Sequence, residues 1–215
     1  PQGAEILDAS GKWVTPGLID AHTHISTFNE PHWMPHIGDG NEVTSPVTAQ
    51  IRGIDALNPF DMAIGAARSA GFTTCYTGPG SANVIGGTGF SFKLKQASTV
   101  QDMMIPGTEV MKMALGENPK RCYQGKNNNT RMATAAKLRE LLFKANEYSM
   151  KLSEARQDPS KRPAFDMKLD AMLPVVRKQL PLKAHAHRAD DICTAIRICK
   201  EFDLDFSIEH ATEGY

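Results

Sequence analysis

At 215 residues and 41% hydrophobic content, the chain is long enough to bury a substantial core as one domain. Lys plus Arg (24) balances Asp plus Glu (24), so no net field draws it to nucleic acid or to a lipid surface. There is no run of about 18 apolar residues and no basic-then-apolar N-terminus, and Cys75, Cys122, Cys193 and Cys199 form neither a CxxC pair nor a disulfide framework, which predicts reduced thiols in a cytoplasmic setting.

Residues 4–14 hold a short apolar trio, the polar turn Asp8-Ala9-Ser10-Gly11-Lys12 and then Trp13-Val14, a hairpin-like pattern. Pro16-Gly17 turns the chain, Gly17-Leu18-Ile19 starts a strand, and His22 and His24 follow. Residues i and i+2 of a strand share a face, so the two imidazoles project together as half of a metal site. Residues 27–58, with His32, His36, Gly38 and Gly40, are polar and irregular. They predict a long functional loop, its two histidines solvated or at a substrate edge rather than ligating.

Asn58-Pro59-Phe60-Asp61 opens a helix with an apolar side through Met62, Ile64, Ala66 and Ala67. Residues 71–76, β-branched and aromatic, read as a second strand. The glycine-rich stretch 78–89 lacks the Gly-Lys-Ser/Thr ending of a phosphate loop, so close backbone approach to the centre is the economical account. Residues 89–94 alternate apolar and polar as a third strand. In 108–119 a near-continuous apolar run, the pattern of a buried parallel strand, is broken by Lys112. Helices follow at about 130–156 and 165–179, a strand at 181–187, a helix at 190–203 and a strand at 205–210. The alternation predicts about six parallel βα units, an α/β barrel lacking its last quarter rather than a doubly wound sheet. Three strands end in histidine (His22 and His24, His185 and His187, His210). Ends of different strands converge at one face of a barrel, and imidazoles there suit Zn²⁺, Fe²⁺ or Mn²⁺.

The run Pro16-Gly17-Leu18-Ile19-Asp20-Ala21-His22-Thr23-His24 resembles the opening-strand signature of the amidohydrolase superfamily, metal-dependent hydrolases on (β/α)8 TIM-type barrels. Gly71-Phe72-Thr73-Thr74 is similar to a second family segment, residues 185–192 to its strand-five motif, and Ile208-Glu209-His210 to its strand-six motif. The resemblance implies an incomplete barrel over residues 16–215, about strands one to six, preceded at 1–15 by a remnant of the family's small β-domain. A complete barrel takes ~250 residues, so a fragment is expected.

The same resemblance implies His22, His24, His185 and His210 as metal ligands. It places Lys112 where binuclear members carry a carboxylated lysine bridging two ions. A salt bridge from Lys112 to Glu109 or Glu117, and Glu117 as the bridging carboxylate, stay open beside it. Catalytic roles fall to His210 and His187, the latter facing substrate, with His185 and His187 open to exchange because they share a face. One or two divalent ions are expected, zinc first, iron or manganese as alternatives. The implied reaction is hydrolysis of a carbon–nitrogen bond other than a peptide bond, in a cyclic amide or amidine, as in imidazolonepropionase-like members. The cation lowers the pKa of water from ~15.7 toward ~7. The strand-eight aspartate that serves the family as ligand and general base has no counterpart in this chain. An inactive oligomerising or metal-binding fragment and a prolidase-like peptidase are the other readings. A small molecule is the expected partner, with Arg121, Arg131 and His187 as candidate contacts, and the unclosed sheet invites a second copy.

Overall fold

The computed structural model describes residues 3–30 and 38–215; His32 and His36 lie outside the described residues. The elements are β1 (Leu18–Asp20), α1 (Met62–Ser69), β2 (Phe72–Thr77), β3 (Ile85–Lys93), β4 (Val110–Ala114), α2 (Glu117–Cys122), α3 (Arg131–Glu154), α4 (Met167–Val176), β5 (Leu182–Ala186), α5 (Ala189–Glu201) and β6 (Phe206–His210). The strands make one mixed sheet in the order β1-β2-β3-β4-β5-β6. Side-chain caps fix where helices begin: Asp61 accepts from Ala63 N, Thr130 from Ala133 N, and Asp166 from Lys168 N and Leu169 N. Each cap satisfies amides that have no partner within the first turn.

The period-two alternation of the strands sorts the sheet into two chemical faces. Met111 and Met113 of β4, Leu182 and Ala184 of β5, and Phe206 and Ile208 of β6 pack with Leu138 and Leu142 of α3, Met172 and Val175 of α4, and Ala195 and Ile198 of α5. Full burial of the Met, Leu, Val and Ile side chains of this cluster contributes roughly 1.5–3 kcal/mol each and fixes which face turns away from the helices. The intervening residues, Lys112, Lys183, His185, Ser207 and Glu209, are thereby set on the opposite face. A second core lies under β2 and β3, where Ile64 of α1 meets Cys75, Phe90 and Phe92.

The expectation of six parallel βα units needs correction at β3. It runs antiparallel to both β2 and β4, whereas β1–β2, β4–β5 and β5–β6 are parallel. The link 78–84 between β2 and β3 is shorter than the dozen or so residues a parallel crossover needs. β3 also starts earlier than its alternation indicates, taking in Gly86, Gly87 and Gly89. Gly87 has φ +104, and a Cβ there would meet the Ile51 carbonyl oxygen at 2.2 Å, so glycine lets the 38–58 segment lie against the strand.

The hairpin expected near the N-terminus does not form. A turn closes through Lys12 N to Ala9 O at 3.0 Å, but residues 3–17 carry no ladder, and Ile6, Leu7, Trp13 and Val14 are all exposed. Their apolar side chains have no opposing face in the described residues to drive pairing. The 38–58 segment is irregular as expected, apart from a 3-10 turn at Gly53–Asp55.

Candidate metal centre

β1 is three residues long, so the positions of His22 and His24 depend on what holds the chain beyond it. Thr23 donates from its backbone N (3.2 Å) and from Oγ1 (2.6 Å) to the Tyr76 carbonyl. Thr77 Oγ1 donates to Ile25 O at 2.6 Å. The buried Asp61 carboxylate accepts from Ser26 N at 2.9 Å and from Glu30 N at 3.2 Å while capping α1. The segment is thus stitched along the end of β2. His24 Nδ1 lies 2.9 Å from Gly78 O, and a carbonyl can only accept, so Nδ1 carries the proton and Nε2 keeps its lone pair. Gly78 allows this approach: a Cβ on it would stand 2.6 Å from Gly89 Cα.

From the other side of the sheet come Lys112, His185 and Glu209, with His187 and His210 at the strand ends. Glu209 and His210 are neighbours in β6 and on a regular strand would face opposite ways. His210 has φ +69 and Ala211 φ +44, and this left-handed turn brings the His210 ring to the same side as Glu209. Such a conformation costs on the order of 1–3 kcal/mol for a non-glycine residue and clusters at functional sites.

The rings gather closely. His210 lies 4.6 Å from His185, 4.7 Å from His187 and 4.8 Å from His22, and His22 lies 5.2 Å from His24. One nitrogen from each of His185, His187 and His210 falls within 4.8 Å of the others, a set able to hold a metal ion. Lys112 is completely buried with Nζ 3.4 Å from His22 Nε2.

The electrostatics favour neutral donors. Burial, helped by the cationic neighbours, pushes His24 and His210 down to about 4 and His185 down to about 3. Their imidazoles are therefore uncharged at neutral pH, as coordination requires. Burial likewise brings Lys112 down to about 7. Glu209 ends well below the usual carboxylate range: burial alone would raise it, but the His22 imidazole beside it and the contacts of Lys183 and Ser207 outweigh that. His185 supplies the clearest sign of a missing partner, because its Nδ1 is buried with nothing to bond. Asn118 stands 3.2 Å from His185 Nε2. The facing atom is the amide nitrogen, which can only donate, so Nε2 accepts and Nδ1 carries the proton that has no acceptor.

The structure therefore brings together His22, His24, His185, His187, His210 and Lys112. His187 stands in the same nitrogen group as His185 and His210, hydrogen-bonded through Nδ1 to Thr212 Oγ1 at 2.8 Å and exposed at the rim. Glu117 stands apart: exposed, it pairs with Lys120 and Arg131, and Lys112 makes no ion pair with it or with Glu109 among the described residues. The alternative of a salt bridge to Glu117 fails because Glu117 opens α2, past the end of the strand that carries Lys112. Arg131 is committed to Asp191 at 2.9 and 3.1 Å and to Glu117 at 2.8 Å, and Arg121 donates to Asn118 Oδ1 at 3.3 Å. Sequence reasoning overlooked Glu209, Lys183 and Asn118. The first two carried a signal, being charged residues alternating with apolar positions on short strands.

Over its whole length the chain is 41% identical to the amidohydrolase from Thermotoga maritima MSB8, whose crystal structure it matches with a TM-score of 0.94. The chain belongs to the amidohydrolase superfamily. It spans 56% of that superfamily relative. It is also 29% identical over 243 residues to amidohydrolase tasK of Hapsidospora irregularis, covering all of this chain and 24% of that protein. A local stretch of 29 residues, 14% of the chain, is 59% identical to allantoinase of Escherichia coli (strain K12 / DH10B) and takes in 6% of that enzyme. No protein-family model matches the sequence. No helix among the described residues is long and apolar enough to cross a membrane.

Proposed function

We propose that these residues form the opening part of a (β/α)8-type barrel, modified by the reversed β3, that hydrolyses carbon–nitrogen bonds other than peptide bonds, in a cyclic amide or amidine, with one or two divalent ions, zinc first and iron or manganese as alternatives. The observation that carries the reading is the convergence of five histidines and a buried lysine from four separate strand ends, with one of their buried nitrogens lacking any partner. His22, His24, His185 and His210 are the ligands proposed. The local likeness to a protein named allantoinase supports the cyclic-amide class.

A divalent ion held by these residues would supply Lewis acidity, polarising a carbonyl and lowering the pKa of water. The chain's own residues set the stage for it. Gly78 O fixes the tautomer of His24, and Asn118 orients His185. Lys112, close to half neutral near pH 7, can add its amine to CO₂: the N–C bond forms, one proton leaves, and the product is an anionic carbamate facing His22. Its nearest polar neighbour being a ring nitrogen rather than a carboxylate supports that modification. His187 is the residue proposed to contact substrate, a reading supported by its position at the exposed rim beside His210. The proton-accepting aspartate of the family's eighth strand is not among these six strands, so turnover is proposed for the barrel completed beyond them.

Elemental analysis of the purified chain beside the His22→Ala/His24→Ala variant tests the metal assignment. About one or two equivalents of divalent metal, lost in the variant, is the expected result; metal in neither sample, or equal metal in both, overturns it.

A further inference from the structure

The inner face carries a group that the ligand set does not use. Glu209 is buried, and both its oxygens are engaged: Oε1 takes Lys183 Nζ at 2.7 Å and the Ser207 hydroxyl at 2.7 Å, while Oε2 stands 3.0 Å from His22 Nδ1. A buried carboxylate requires a counter-charge, and Lys183 with Ser207 meets that need through one oxygen. The second oxygen is left over, and it is turned to the imidazole. At 3.0 Å the two atoms are in ion-pair contact, although the approach is off the line of a straight hydrogen bond. The other ring nitrogen, Nε2, faces Lys112 and the centre.

Tyr76 completes the arrangement. Its ring is nearly parallel to His22, with centroids 5.8 Å apart and 16° between planes, and Lys183 Nζ sits 4.6 Å over the same tyrosine. Lys183, Glu209, His22 and Tyr76 thus form a closed circuit of contacts drawn from β5, β6, the segment after β1, and β2. Stacking on Tyr76 sets the plane of the imidazole; the carboxylate sets its rotation within that plane.

We infer that Glu209, steadied by Lys183 and Ser207, is a positioning residue that holds His22 with Nδ1–H toward the carboxylate and Nε2 toward the centre. The orientation follows from the circuit alone, while its consequence for metal affinity rests on the proposed metal site. Carboxylate partners of this kind fix the tautomer of a ligating histidine and raise its basicity, and their loss weakens metal binding about 10- to 100-fold.

The test uses the full chain and its Glu209→Leu and Glu209→Gln variants, each first checked for a cooperative thermal transition. In the metal-free state, side-chain ¹⁵N spectra report the His22 tautomer. The unsubstituted chain is expected to show Nδ1–H, and Glu209→Leu a shift toward Nε2–H. Chelator competition with zinc is expected to give affinity about 10- to 100-fold weaker in Glu209→Leu and weaker than the parent in Glu209→Gln, which keeps the shape but not the charge. Retention of Nδ1–H in Glu209→Leu, or zinc affinity within about twofold of the parent in a folded variant, would make Glu209 only the counter-ion of Lys183 and overturn the inference. If Glu209→Leu does not fold, the zinc affinity of Glu209→Gln decides. If the parent chain binds no zinc, the metal reading fails by itself, and the tautomer comparison still decides the role of Glu209.

Discussion

Lys112 on β4 and Lys183 on β5 are register partners, side by side on the inner face and both buried. Lys183 pairs directly with Glu209, and Lys112 has no carboxylate within ion-pair distance among the described residues. Lys112 is therefore costly to the fold in the absence of metal. Its pKa is about 7 in the folded chain against 10.5 for the free side chain. The unfolded chain holds more protons between those values, so stability rises with pH across that interval. Replacing Lys112 with Met is expected to stabilise the metal-free chain by about 1–3 kcal/mol and to remove this rise. Thermal melts from pH 7 to 10 in the presence of a chelator check both, and metal analysis should find no more than one bound ion.

The histidines act on the acid side. His24, His185 and His210 are held at about 4, 3 and 4 by burial, against 6.5 when free. Between these limits the unfolded chain binds more protons, so the metal-free fold loses stability as pH falls from 6.5 toward 4. A chelator-treated sample should melt progressively lower over that range. Added zinc should raise the melting temperature at neutral pH and lose its effect near pH 4, where protons compete for the same nitrogens.

Two glycines separate backbone need from mere smallness. At Gly87 the positive φ and the 2.2 Å approach of the Ile51 oxygen both oppose a side chain. Gly87→Ala is expected to cost at least about 2 kcal/mol. Gly65, inside α1, has nothing within 4 Å of an added Cβ, and Gly65→Ala is expected to gain about 0.5–1 kcal/mol. Denaturant unfolding of the pair gives the comparison.

Arg131 is one of the candidate substrate contacts in the sequence. Its fork is instead taken by Asp191, which is buried. Arg131→Ala should cost about 3–5 kcal/mol by leaving Asp191 uncompensated, yet leave metal content unchanged in whatever fraction folds. Loss of metal without loss of stability would argue for a role at the centre.

Much of this was legible from the chain itself. The helices α3, α4 and α5 and the strands β4, β5 and β6 fall within a few residues of their periodic patterns, because long apolar stripes and short apolar runs report burial directly. The clustering of His22, His24, His185 and His210 followed from strand ends and from a family resemblance. Strand direction did not, since an alternating pattern reads the same both ways; only the short 78–84 link hinted that β3 reverses. Glu209 escaped because its neighbour His210 was already assigned to the centre, and alternation puts adjacent residues on opposite faces. The left-handed turn at His210 suspends that rule, and no local pattern announces it.

The reversed β3 has a consequence for how the chain reaches its shape. With β2 and β4 it forms an antiparallel meander whose links carry no crossover helix, whereas β5 joins β4 only after α2, α3 and α4. Closing short loops is entropically cheaper than closing long ones, so the meander is the natural first piece to assemble. In pulse-labelled hydrogen exchange during refolding, amides of β2 and β3 should gain protection before those of β5 and β6. The histidine centre, which draws on β1, β5 and β6, would then be the last thing made, a chemistry that waits for the whole sheet.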